Sequence, residues 1–209
     1  MVDGQLRPNR VTNAELLTAI GDLPRERFLP EALRSVAYAD DDVPLGGGRY
    51  LMEPMVLARL IQTLQPQHRD RALILGAGHG YGAALLARLV KLVTAVESDP
   101  ALAGAGEQIA KDMGLVNIHW VTGKLEQGAP DSAPYDVVLI EGAVRQIPQT
   151  ILDQMAEGGR LAAIVTGAPG AMGVAQIFIK DGGITSGRPL FEAGTPLLPG
   201  FAPPPRFTF

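Results

Sequence analysis

Apolar positions along the chain follow two different periods. Leu57, Leu60, Ile61 and Leu64 recur at i, i+3, i+4 and i+7, the spacing of one helix face, and Pro54 suits the first turn of that helix. Thr12 and Glu15 have capping-box spacing ahead of Leu16, Leu17 and Ile20, which predicts an earlier helix capped by Thr12. A short helical stretch is expected over Glu31–Val36. Over residues 40–53 three acids are followed by Pro44 and by Gly46, Gly47 and Gly48, which is loop chemistry. From residue 71 the pattern changes to short unbroken apolar runs, over 72–75, 92–96, 118–122, 137–140 and 161–165. Helix-like stretches at 81–90, 100–113 and 148–156 lie between most of them. Such runs alternating with helices predict a doubly wound, mostly parallel α/β sheet covered on both faces. Segments 175–180 and 184–189 flank Asp181, Gly182 and Gly183, which predicts a C-terminal antiparallel hairpin. The tail, 196–209, is expected to run extended along the surface, anchored by Phe201, Phe207 and Phe209.

Composition narrows the class. A chain of 209 residues suits one domain with a sizeable core. We divide it into a helical and loop segment (1–65), a cofactor core (66–190) and the tail (191–209). The net charge of −4 without a basic run argues against a nucleic-acid partner. The lack of cysteine excludes disulfides, thiolate metal sites and a cysteine nucleophile. His68, His79 and His119 show no metal-ligand spacing, and His79 reads as a loop residue. No apolar run is long enough to span a bilayer, and the polar N-terminus lacks a signal-peptide core. The expected setting is therefore cytoplasmic, with no membrane partner.

The chemistry concentrates after the first apolar run. Gly76, Gly78, Gly80 and Gly82 follow that run and open a helix, where glycine lets the backbone turn tightly and approach a ligand. Glu97 ends the next run, where a carboxylate can accept hydrogen bonds from both ribose hydroxyls of an adenosine. Replacing it with Ala is expected to weaken cofactor binding and leave the fold intact. Glu141 follows the fourth run, at the strand edge that faces the ligand crevice in open α/β sheets. The glycines do not choose the cofactor. Residues 78–83 also satisfy the dinucleotide pattern G-x-G-x-x-A, so a nucleotide-dependent oxidoreductase stays open.

Other segments resemble the protein-L-isoaspartate O-methyltransferase family. They are Gln5-Leu6-Arg7, Leu23-Pro24-Arg25-Glu26-Arg27-Phe28-Leu29-Pro30, Ala37-Tyr38-Ala39-Asp40 and Pro44-Leu45-Gly46. The likeness continues through 76–87, Tyr135-Asp136 and Gly158-Gly159-Arg160-Leu161. It implies a Rossmann-like methyltransferase fold that transfers a methyl from S-adenosyl-L-methionine to an isoaspartyl carboxylate of a damaged protein or peptide. It assigns the cofactor to Gly76, Ala77, Gly78, Gly80, Tyr81, Glu97, Lys124, Leu125 and Glu141. The family's substrate loop reads roughly Gly-Gln-Thr-x-Ser-x-Pro, whereas this chain has Gly48-Arg49-Tyr50-Leu51-Met52-Glu53-Pro54. Met52 therefore stands where the family has a hydroxyl, and Arg49 and Tyr50 become the candidate carboxylate donors. Ile74 replaces the family's acid before the glycine loop, and Gly123-Lys124-Leu125 replaces Gly-Asp-Gly. These departures leave open a homologue that keeps the cofactor but has altered or lost its catalysis.

Overall fold

The computed structural model describes residues 1–167 and 171–201. Its strands are β1 (Val43–Gly46), β2 (Arg49–Leu51), β3 (Arg71–Leu75), β4 (Leu92–Glu97), β5 (Ile118–Thr122), β6 (Tyr135–Val144), β7 (Met155–Val165), β8 (Gly173–Asp181) and β9 (Ile184–Ala193). Its α-helices are α1 (Ala14–Asp22), α2 (Pro54–Leu64), α3 (Tyr81–Ala87), α4 (Pro100–Asp112) and α5 (Gln149–Asp153). Seven strands form one sheet in the order β5-β4-β3-β6-β7-β8-β9. Pairing is parallel from β5 through β7, and the β7-β8-β9 end is antiparallel. Strand order reverses between β3 and β6, so their carboxyl ends open the crevice where open α/β sheets bind ligands.

The unbroken apolar runs are explained by two buried faces. Ile74, Leu139 and Ile164 join a core with Leu57, Leu60 and Ile61 of α2. Their neighbours Leu75, Ile140 and Ala163 point the other way, into a second core with Leu125, Ile151, Leu198 and Phe201. The second face is thus covered by short turns and the chain's end rather than by long helices. Phe201 is buried as expected, while Phe207 and Phe209 lie outside the described residues.

Several local expectations are corrected. Asn13, not Thr12, caps α1: its side chain accepts from the Leu16 amide at 2.9 Å. Glu31–Val36 is a short helical stretch as expected, in the tighter 3₁₀ form. Helix α5 is shorter than expected because Met155 already pairs with Tyr135 in the sheet. The segment read as a loop is a β1–β2 hairpin. Val43 and Leu51 bury its open end, and Gly46, Gly47 and Gly48, at φ of +95°, +57° and +74°, turn its tip.

Candidate active site

The glycine loop leaves β3 and enters α3 with Gly76, Gly78 and Gly80 at φ of +79°, +54° and +89°. Each lies in the left-handed region that side chains rarely adopt, so the cradle shape depends on these residues being glycine. Gly76 and Ala77 both hang from the Val96 carbonyl, at 2.9 and 3.3 Å. Glu97 lies at the end of β4, fully buried. Its Oε2 accepts from the Gly78 amide at 2.7 Å, and its Oε1 accepts from the Ser98 and Asp99 amides at 2.7 and 3.1 Å. Gly123 donates to the Glu97 carbonyl at 3.0 Å, which holds the following turn against the same strand end. In that turn Leu125 is buried and Lys124 is exposed.

Arg49 was expected to meet a substrate carboxylate, but it turns inward. Its Nη2 lies 3.1 Å and its Nε 3.2 Å from Glu97 Oε2, and Nη2 also donates to the Gly76 carbonyl. The pair is 3% and 0% exposed. Burial alone would raise the Glu97 carboxyl, but Arg49 and the Gly78 and Asp99 amides outweigh it, and the carboxyl is held below its ordinary value. Glu97 therefore anchors a buried guanidinium and three amides, which argues against the expectation that the fold stays intact without it.

The remaining residues divide between two neighbourhoods. Glu141, on β6, packs against Gly82, where an added Cβ would lie 2.5 Å from its Oε1. Burial pushes its carboxyl up to about 8, against the opposing pull of Arg49 and Arg25. Tyr81 is turned away from the cradle. Its ring meets Phe28 edge-on at 5.2 Å and lies under the Arg25 guanidinium at 4.9 Å. Met52 is 2% exposed within the first core, so its side chain is a packing element and not a site group. Ile74 is likewise wholly in that core. His79 holds the Phe28 carbonyl at 3.0 Å, in keeping with a loop residue. Tyr50 lines a cleft of about 570 Å³ with Asp41, Asp42, Thr166 and Thr195.

A match to the family model for protein-L-isoaspartate(D-aspartate) O-methyltransferase spans residues 2–187. The chain belongs to this methyltransferase family. A protein-L-isoaspartate O-methyltransferase of Herpetosiphon aurantiacus is 40% identical over 78% of this chain and 73% of its own length. One from Methanoculleus marisnigri is 38% identical over 79% and 75%. Among solved structures, a protein-L-isoaspartate O-methyltransferase superposes with a TM-score of 0.83 at 24% identity, over 93% of this chain and 64% of that one. A Plasmodium falciparum protein of the same description, in complex with S-adenosyl-L-homocysteine, gives 0.77 at 18% identity, over 93% and 94%. These two structures share the Rossmann-like methyltransferase fold.

Within this methyltransferase frame, sequence reading missed three contributors. Arg25, 0% exposed, donates from Nε to the Ala37 carbonyl and from Nη2 to the Met52 carbonyl, both at 2.6 Å, and so fixes the hairpin's exit. Asp42 accepts from the Glu53 amide at 2.8 Å and pins the same loop. Leu198 lies against Gly76 and Gly142. Arg25 had a visible signal, its place in the Pro24-to-Pro30 segment that carries the family resemblance. Leu198 had none, because an apolar tail residue does not announce what it covers.

Proposed function

We propose that this chain is an S-adenosylmethionine-dependent carboxyl O-methyltransferase acting on L-isoaspartyl residues of damaged proteins or peptides. The observation that carries the reading is Glu97, a strand-end acid aimed into a left-handed glycine cradle at the switch point of a methyltransferase sheet. The frame fits an adenosyl group. Glu97 would accept the ribose hydroxyls, Gly76 and Gly78 would let the backbone approach, and Leu125 would offer an apolar wall. Bound there, the cofactor supplies an activated methyl on a sulfonium.

The protein's share of the chemistry is alignment. A carboxylate with a pKa near ~4 is ionised at neutral pH and needs no general base. Holding nucleophile and methyl in line can contribute about 7–11 kcal/mol. Glu141, pushed up to about 8, is protonated at neutral pH, so it adds no negative charge beside an anionic acceptor. Arg25 sets the position of Met52 and with it the loop that Tyr50 and Glu53 present. The test is transfer of a labelled methyl from S-adenosylmethionine to an isoaspartyl peptide, with the matching aspartyl peptide as control. Transfer to the isoaspartyl peptide alone is expected. Binding of a nicotinamide dinucleotide in place of S-adenosylhomocysteine would overturn the reading.

A further inference from the structure

The cradle's volume is filled by the chain itself. A Cβ on Gly76 would lie 2.5 Å from Arg49 Nη2 and 2.7 Å from Leu198 Cδ1. One on Gly142 would lie 3.0 Å from that same Leu198 carbon, and one on Gly78 would lie 2.8 Å from Leu45 Cδ1. The Glu97 acceptor sites are also taken. Oε1 serves Ser98 and Asp99, and Oε2 serves Gly78 and both reaching nitrogens of Arg49. A carboxylate offers about four lone-pair sites, so a ribose diol and this guanidinium compete for the same ones. The guanidinium presents parallel donors in a rigid fork, as a cis-diol presents paired hydroxyls.

The occluding groups are fastened in place. Between Leu139 and Ala143, β6 advances four positions while β7 advances two, from Ala162 to Ile164. That bulge leaves the Ala143 backbone free to hold the tail. Its amide donates to the Pro196 carbonyl at 2.9 Å and its carbonyl accepts from the Leu198 amide at 2.8 Å. Phe201 is buried beyond it. The hairpin tip meets the same segment, since a Cβ on Gly48 would stand 3.5 Å from Pro199 Cγ.

We propose that Arg49 and the segment 195–201 form an intramolecular latch that occupies the cofactor cradle and must withdraw before an S-adenosyl ligand can bind. The proposal rests on the cofactor reading above. Any ligand that selects the open form binds more weakly by the fraction of molecules that are open.

The full-length wild type, Arg49→Gln and Leu198→Ala are titrated calorimetrically with S-adenosylhomocysteine. In the same samples, reaction of Arg49 with phenylglyoxal is followed by mass spectrometry. Each variant is expected to bind at least tenfold more tightly than wild type. Saturating ligand is expected to expose wild-type Arg49 to the reagent, where a bystander would stay protected. If Arg49→Gln fails to fold, Leu198→Ala and the wild-type modification rate carry the test. Equal binding by wild type and variants, with Arg49 still protected in the complex, overturns the latch and leaves the cofactor reading standing. Failure of every folded form to bind overturns both.

Discussion

The site has two halves built on different plans. The β3–α3 half is backbone, with three left-handed glycines and one strand-end acid, all buried. The hairpin half is side chains, with Arg49 turned inward and Asp41, Asp42 and Tyr50 lining an open cleft. The first half gains its geometry from neighbours in sequence. The second is assembled from distant ones: Arg25 reaches Met52, Asp42 reaches Glu53, and the tail reaches Ala143. A backbone cradle constrains each residue that forms it. A side-chain cleft can exchange its groups one at a time, which would suit the half proposed to meet the acceptor.

The largest expected effect comes from cutting the Arg49–Glu97 pair, which joins the halves. Glu97→Ala strips Arg49 of its buried partner, and breaking a buried pair from one side costs about 3–5 kcal/mol. A urea midpoint that falls accordingly would match, and an Arg49→Met/Glu97→Leu double variant should recover part of the loss. Wild-type stability in Glu97→Ala would mean that the halves are not coupled through this pair. Next in size is Gly78→Val, which tests the backbone half alone. At φ of +54° a β-branched residue is strained by about 1–3 kcal/mol, and its Cβ would also press on Leu45. Stability and S-adenosylhomocysteine binding should both fall. A stable variant with wild-type affinity would remove the loop from the cradle.

The same contrast explains what was legible in the sequence. Five apolar runs gave the parallel strands, and the C-terminal hairpin followed from Gly182 and Gly183, because strand and turn signals are local. Glu97 and the glycines were legible for the same reason. The β1–β2 hairpin was not, because three glycines and three acids look like loop until Val43 and Leu51 are seen to bury its base. Arg49 was assigned to the acceptor because spacing reports where a residue sits along the chain and not which way a long side chain turns. Its true partner lies 48 residues away. Glu141 was legible as an acid near the carboxyl end of its strand, but neither its burial nor the continuation of β6 to Val144 was.

That burial gives a pH signature of intermediate size. The native state keeps a proton on Glu141 up to about pH 8, while the unfolded chain releases it near the ordinary carboxyl value of 4.5. Between those limits the native state binds more protons, so stability falls as pH rises, by at most ~1.4 kcal/mol per unit. Glu97 acts in the opposite direction and elsewhere. Its lowered value stabilises the fold above the ordinary carboxyl range, and that contribution is lost on acidification below it. Urea midpoints of wild type and Glu141→Gln at pH 6, 7 and 8 separate the two. The wild type should weaken across this range and the variant should stay level. Parallel curves would show that Glu141 is ionised in the folded protein.

The smallest effect concerns the acids of the hairpin half. Glu53 is pushed up first by partial burial and then by Asp42, Asp40 and Asp41, and Asp42 is itself raised by burial and by Asp41. These carboxylates therefore feel one another, and an isoaspartyl carboxylate brought to the cleft meets like charge. Basic groups flanking it in a peptide would offset that repulsion. Exposed pairs of this kind contribute about 0–1 kcal/mol each, so up to roughly fivefold in affinity. An isoaspartyl peptide with Lys on both sides should show a lower KM than the same peptide flanked by Glu. The difference should shrink as salt is raised past ~0.15 M, where the screening length is about 8 Å. Asp41→Asn should narrow it further while kcat stays unchanged, because the cleft and not the methyl donor is altered. Equal KM values at low salt would show that the acids point away from the bound peptide. A difference indifferent to salt would assign the preference to shape, and the hairpin half would then select its acceptor by packing as the cradle does.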